Sequence, residues 1–256
     1  MHSLTTALVV LLPLVSAHGH VDKVIADGVT YQGWNAALKY QNPIPPTVGW
    51  QADNLDNGFV TPDRFGTVDI VCHKLGKSNG AYVSVKPGSK VTFKWDTWPT
   101  THAGPVQEYI AACNGDCGAA KPEALFWTKI QSGAWKSGSN PGAWVTDDLV
   151  KNNFSWDLTF PNVAPGNYVV RHEIIALHAA GQTNGAQAYP QCVNFKVEGS
   201  GTNKLAGGVP ATSFYKPTDP GILFNLYTKY EGYTVPGPAL VKLAKREERE
   251  HARAFA

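Results

Sequence analysis

Apolar side chains recur at every second residue in several stretches of this chain, and glycine and proline turns punctuate them. Val83 and Val85 alternate with Tyr82, Ser84 and Lys86 before Pro87-Gly88, and Val91, Phe93 and Trp95 resume the same period. Phe154, Trp156, Leu158 and Phe160 alternate before Ala164-Pro165-Gly166-Asn167, which leads into an apolar run from Tyr168 to Leu177 and then Val193, Phe195 and Val197. A period of two puts one set of side chains on one face of an extended strand. The pattern predicts two β-hairpins, at Pro87-Gly88 and at Pro165-Gly166, within an all-β, antiparallel β-sandwich, because a sheet with one apolar face must bury it against another layer. The 25 glycines, 18 prolines and 11% aromatic residues suit short strands joined by tight turns and argue against a helical bundle. At 256 residues the chain reads as one domain.

Two stretches, 31 to 66 and 97 to 150, are irregular and too long to be plain connectors, which makes them candidate functional loops. Asp147-Asp148-Leu149-Val150 reads as a helical turn inside the second. Gly199-Ser200-Gly201-Thr202-Asn203 has the composition of a linker, but aromatic residues and an Asp219-Pro220-Gly221 turn follow, so this region reads as a long crossover of the same domain. The tail from Lys242 to Ala256 is charged and helix-prone, a solvated appendage. A net charge of +2 with 16% charged residues supplies no field for nucleic acid or an anionic membrane, which points to an uncharged partner.

The opening residues MHSLTTALVVLLPLVSA carry an apolar stretch from Ala7 to Val15 and end in Val15-Ser16-Ala17, the small-residue pattern of a secretory cleavage site. That stretch is too short to span a bilayer. Export would place the four cysteines in an oxidising setting and suggests two disulfides, for which three connectivities exist. Cleavage after Ala17 leaves His18 first, where the α-amino group and the imidazole of a single residue can chelate one metal ion. With an amine pKa near ~8 and an imidazole pKa near ~6.5, a divalent metal can displace both protons at neutral pH. A third nitrogen from another histidine would complete a planar set, and tetragonal nitrogen ligation favours copper.

Seven segments then occur in order: His18-Gly19-His20-Val21, Asp69-Ile70-Val71-Cys72-His73, Thr101-His102-Ala103-Gly104-Pro105-Val106, Cys113-Asn114-Gly115-Asp116-Cys117, Arg171 to His178, Gln187-Ala188-Tyr189-Pro190-Gln191-Cys192, and Tyr233-Thr234-Val235-Pro236-Gly237-Pro238. Taken together, from His18 to about Pro238, they resemble the fungal lytic polysaccharide monooxygenases of auxiliary activity family 9, formerly glycoside hydrolase family 61. The resemblance implies an immunoglobulin-like or fibronectin-like sandwich whose long loops form a flat, copper-centred face. Such a face suits a polymer surface, where sugar rings stack on aromatic rings. It implies a signal peptide over 1–17, a catalytic domain over 18–238, and a tail over 239–256 without a carbohydrate-binding module.

By the same resemblance, His18 and His102 ligate copper and Tyr189 sits axially, while His178 and Gln187 are catalytic residues that hydrogen-bond an oxygen species beside the metal. Gln187 and Tyr189 are two apart and share a face if that stretch is extended. Tyr40 and Tyr233 are the substrate-binding candidates, with Trp34 and Trp98 as further ones; Cys72 would pair with Cys192 and Cys113 with Cys117. His2, His20, His73, His172 and His251 are left to core or surface roles, with His73 in a strand-like segment. Asn153-Phe154-Ser155 satisfies the N-glycosylation sequon. The implied activity is oxidative cleavage of cellulose or a related β-glucan by a secreted monomer, using one copper ion, O2 or H2O2, and an external electron donor or redox partner protein. The loop from Tyr31 to Phe65, with Asn42-Pro43-Ile44-Pro45-Pro46, is similar to that of members oxidising both C1 and C4.

Two other function classes compete. A secreted glycoside hydrolase needs two carboxylates flanking the scissile bond; Glu108, Asp147, Asp148 and Glu173 are available, and no pair stands out. A non-catalytic copper or cellulose-binding protein could use the same ligands and would differ in forming no oxidised products.

Overall fold

The computed structural model describes residues 19–55, 58–205 and 207–243; the expected leader, His18 and residues 244–256 of the tail lie outside them. The described residues form twelve strands: β1 (Val21–Ala26), β2 (Val29–Gln32), β3 (Val83–Val85), β4 (Lys90–Trp95), β5 (Val106–Ala112), β6 (Phe126–Gly133), β7 (Trp135–Ser137), β8 (Ala143–Trp144), β9 (Ser155–Thr159), β10 (Gly166–Ala176), β11 (Gln187–Val197) and β12 (Val209–Pro210). Two short α-helices accompany them, α1 (Asp69–Cys72) and α2 (Val145–Lys151). A four-stranded sheet in the order β2-β1-β4-β9 faces a six-stranded sheet in the order β12-β6-β5-β10-β11-β3, and β7 and β8 form a separate ribbon.

Between the sheets, Val24, Val91, Phe93, Trp95 and Leu158 of the smaller pack against Val106, Ile110, Val170, Ile174, Val193 and Phe195 of the larger. The opposite face of the larger sheet is covered too. There Tyr109, Ala111, Trp127, Val169 and Ile175 meet Phe65, Ile70, Phe214 and Tyr215 from loops and short helices, and Trp144 of β8. The six-stranded sheet is thus a middle layer, and its central strands β5, β10 and β11 are buried almost without interruption. A strand buried on both faces loses the simple alternation of apolar and polar residues. This is why the stretch 97–150, expected to be irregular, contains β5 to β8: in β5 the buried positions include Gln107 and Glu108, which read as surface residues in sequence. The helical turn expected at Asp147 to Val150 lies within α2, where Asp147 accepts a hydrogen bond from the Trp144 backbone N–H at 2.8 Å.

Neither expected hairpin forms. Across Pro87-Gly88, β3 pairs with β11 in the larger sheet, whereas β4 pairs with β1 and β9 in the smaller. Across Pro165-Gly166 the chain likewise passes from β9 in the smaller sheet to β10 in the larger. Both turns are arches between layers. Alternation reports which face of a strand is apolar, and two strands facing one interior from opposite sides have the same signature as two strands side by side. Among the twelve described strands the antiparallel expectation has one exception, β3 running parallel to β11.

Cys72 is bonded to Cys192, with Cα atoms 5.3 Å apart, and Cys113 to Cys117 at 5.2 Å. Cys72 ends α1, so the segment before His73 is helical rather than strand-like. After β2, the first long loop is irregular, with single helical turns at Ala36–Tyr40 and Pro62–Arg64 and bridges from Gly49 to Val193 and from Val60 to Ala188. Past Pro238, Leu240 bridges to Lys129 and Leu243 packs on the inter-sheet core.

Candidate metal centre

The candidate centre grows out of the loop after β4. Gly19 lies so close to this loop that an added Cβ would stand 2.2 Å from the carbonyl oxygen of Thr97. The next residue is tied to the same place: the His20 N–H donates to Asp96 Oδ1 at 2.8 Å, and the Asp96 N–H returns a bond to the His20 carbonyl at 3.0 Å. Gly19 and His20 are therefore packed on the loop that carries His102. Within that loop Trp98 donates its indole N–H to the His102 carbonyl at 3.1 Å, and the His102 N–H donates to Pro99 O at 3.1 Å. Gly104 presses on Ile175, where a Cβ would lie 1.9 Å from the carbonyl oxygen. Leu177 N–H donates to Ala103 O at 2.9 Å, and Gly104 N–H to Thr146 Oγ1 at 3.2 Å. These bonds lock the loop to the end of β10.

His178 follows two residues after the end of β10, in the turn, and its ring centroid lies 3.8 Å from that of His102. From β11, Tyr189 donates its hydroxyl to Gln187 Oε1 at 2.6 Å, as expected for residues two apart on one strand. Trp98 joins the two groups: it meets His102 edge-on at 6.0 Å and Tyr189 edge-on at 5.1 Å between centroids. Burial pushes the Tyr189 phenol well above its ordinary pKa, so it stays a neutral hydroxyl that donates to Gln187. The structure thus gathers His102, His178, Gln187 and Tyr189 around the end of the sandwich where Gly19 enters.

Among the described residues no three His, Cys, Asp or Glu side chains gather into a metal-holding group. What the chain offers instead is an imidazole, a neutral phenol and an amide at the end of the sandwich that holds Gly19. That set fits a nitrogen-rich metal site completed by the amine and imidazole of His18, which lies outside the described residues. It does not fit the oxygen cage that Ca²⁺ or Mg²⁺ requires.

The carboxylates available to a hydrolase are occupied elsewhere. Glu108 and Glu173 are wholly buried in the sheet. Glu108 meets His172 Nδ1 at 2.8 Å, and desolvation pushes its pKa up. His172 in turn stacks on Phe93 and accepts the Trp95 indole N–H at 2.9 Å. Glu173 takes a bond from Arg171 at 2.7 Å, while Asp148 pairs with Lys136 at 2.7 Å and Asp147 caps α2.

Of the substrate-face candidates, Tyr40 is 79% exposed. Tyr233 is half-buried, edge-on to Trp144 at 4.9 Å and Phe224 at 5.1 Å, with its hydroxyl donated to Gly221 O at 2.6 Å. Trp34 and Trp98 are each 2% exposed, so neither offers a surface platform. The Trp34 indole bonds Ala52 O at 3.1 Å, and Trp98 packs between His102 and Tyr189, a role the sequence signalled only by its place four residues before His102. Asn153 is exposed, just after α2.

Residues 18–234 match the family model described as Auxiliary Activity family 9 (formerly GH61). The AA9 family lytic polysaccharide monooxygenase F of Malbranchea cinnamomea is 51% identical over 237 residues, spanning 92% of this chain and 96% of that protein. The extended catalytic domain of H. jecorina LPMO9A superposes with a TM-score of 0.84 at 44% identity, covering 90% of this chain and 94% of that one. A cellulose-active polysaccharide monooxygenase from M. thermophila superposes with a TM-score of 0.75 at 29% identity, covering 88% and 99%. With a family model matched over most of its length and a half-identical relative aligned nearly end to end, the chain belongs to auxiliary activity family 9, the lytic polysaccharide monooxygenases.

Proposed function

We propose that this monooxygenase is a secreted, monomeric copper enzyme that cleaves cellulose or a related β-glucan at C1 and C4. The observation that carries the reading is the meeting of His102, His178, Gln187 and Tyr189 around Trp98, at the end of the fold where Gly19 enters. The amine and imidazole of His18, the imidazole of His102 and the Tyr189 hydroxyl would hold the metal. When bound, copper would supply the one-electron chemistry by which O2 or H2O2, with an external electron donor, hydroxylates a carbon beside the glycosidic oxygen.

The protein's own part is positional. Tyr189 keeps its proton and so presents a neutral oxygen. His178 and Gln187, both half-buried, offer hydrogen bonds to the co-substrate, and a positioned donor at developing charge commonly contributes a few kcal/mol. Tyr40 offers an exposed ring for a sugar face. The cellulose assignment draws support from the relative titled cellulose-active, and the C1 and C4 assignment from the loop between Tyr31 and Phe65. The small-residue pattern ending at Ala17 supports export, with catalytic residues 18–238 and a charged tail, and the exposed Asn153 stands in a glycosylation sequon.

Product chromatography from cellulose with ascorbate, with and without EDTA, tests the reading. Oligosaccharides oxidised at C1 and C4, lost on chelation, are expected. Native oligosaccharides released equally in both samples would identify a hydrolase, and bound copper without oxidised products a non-catalytic binder.

A further inference from the structure

A histidine binds a metal through one ring nitrogen, and the hydrogen bond made by the other decides whether that nitrogen is free of a proton. In this chain the side-chain oxygen of Thr101 lies 3.1 Å from Nδ1 of His102. We infer that Thr101 is a positioning residue that holds His102 as the Nδ1–H tautomer and so presents Nε2 to the metal. The inference rests on the reading of His102 as a metal ligand.

Three features give the contact leverage. The backbone of the loop is fixed, since His102 both donates to Pro99 O and receives the Trp98 indole, while Leu177 and Thr146 bond the two residues that follow. The ring itself stands between the Trp98 edge and the His178 ring, whose centroid is 3.8 Å away. A half-turn of the ring would exchange Nδ1 with Cδ2 and so give up the Thr101 contact. With the ring so held, Nδ1 faces Thr101 and Nε2 is the nitrogen directed elsewhere. A hydroxyl can donate to Nδ1 or accept from it, but a neutral ring that gives Nε2 to a metal keeps its one proton on Nδ1, so there Thr101 Oγ1 accepts. Without the hydroxyl that bond is lost, and the Nδ1–H arrangement that metal binding needs has one stabilising contact fewer.

Thr101 is exposed, so its replacement leaves the core intact. The test compares wild type, Thr101→Val and Thr101→Ser, with Thr101→Ala as a second hydroxyl-free variant if Thr101→Val unfolds. Long-range proton–nitrogen NMR of the metal-free protein reads the His102 tautomer directly. Copper affinity is measured by competition with a chelator, and electron paramagnetic resonance reads the ligand field of bound Cu(II). The expected result is the Nδ1–H tautomer in wild type and Thr101→Ser, its loss in Thr101→Val, about tenfold weaker copper binding by that variant, and an altered Cu(II) spectrum. An unchanged tautomer and affinity in Thr101→Val overturns the inference, as does a wild-type protein whose His102 carries its proton on Nε2. Should wild type bind no copper, the metal assignment fails, and the tautomer of the metal-free protein still decides the role of Thr101.

Discussion

Replacing Gly104 by alanine asks whether His102 is placed by close packing of two backbones. The added Cβ would stand 1.9 Å from the Ile175 carbonyl oxygen and 3.0 Å from its carbon. Comfortable separations are about 3.5 Å, so a gap of roughly 1.5 Å has to open. β10 is the stiffer side, because Ile175 pairs with Ala188 on β11 and its sheet is buried on both faces. The loop must therefore move. Its displacement loosens three hydrogen bonds, Ile175 N–H to Pro105 O, Leu177 N–H to Ala103 O and Gly104 N–H to Thr146 Oγ1. At about 1 kcal/mol each, and with some strain relieved by the shift, the expected loss is roughly 2–4 kcal/mol. For a chain of this size that lowers the melting temperature by roughly 5–15 °C. His102, two residues earlier, would shift by on the order of 1 Å, enough to cost about 100-fold in rate. Thermal unfolding by circular dichroism and oxidised-product release by the purified variant read both effects, and copper competition reads the metal affinity. A Gly104→Ala protein melting within about 1 °C of wild type, with unchanged copper affinity, would refute the reasoning.

Four further outcomes are expected. His178→Ala and Gln187→Ala should retain copper yet lose on the order of 100-fold in turnover, as measured by oxidised-product release, and full activity with copper bound would make both residues structural. A residue added before His18 converts its amine to an amide and should abolish tight copper binding in a titration; unchanged affinity would remove His18 from the ligand set. Chain entropy for a separation of 120 residues assigns about 5 kcal/mol to Cys72–Cys192, against about 2 kcal/mol for the separation of 4 in Cys113–Cys117, so denaturant unfolding of the two double-alanine variants should rank them in that order. Burial of Lys129 lowers its pKa from 10.5 to about 8, while its ammonium donates to Pro236 O at 2.7 Å. Between those two values the unfolded chain binds the proton and the folded chain does not, so stability rises with pH from about 8 to 10.5 and is lost as pH falls through 8. Relative to Lys129→Met, the wild-type protein should gain up to about 3 kcal/mol over that window, and parallel stability curves would refute it.

The amino-acid order by itself determined the class of fold and the identities of the candidate ligands, because both depend on local chemistry. Alternation at Val91, Phe93 and Trp95 marks an apolar strand face wherever the strand ends up, and a histidine after a cleavage site can chelate through its own amine. Partner choice is another matter. The same alternation suits two strands side by side or two strands facing across a core, and only the assembled sheets assign Pro87-Gly88 and Pro165-Gly166 to arches between layers. Residues whose environment comes from far along the chain were equally hidden. Glu108 is a carboxylate available to a hydrolase until β10 brings His172 against it, and the partner of Arg171 is hidden until α1 supplies the carbonyl of Ile70 at 2.7 Å. Trp98 and Tyr233 read as aromatic platforms, yet packing turned the first into the link between His102 and Tyr189 and anchored the second between Trp144 and Phe224. Burial and hydrogen-bond partners are properties of the closed tertiary structure, since desolvation depends on everything that surrounds a group and not on the residues beside it in the chain.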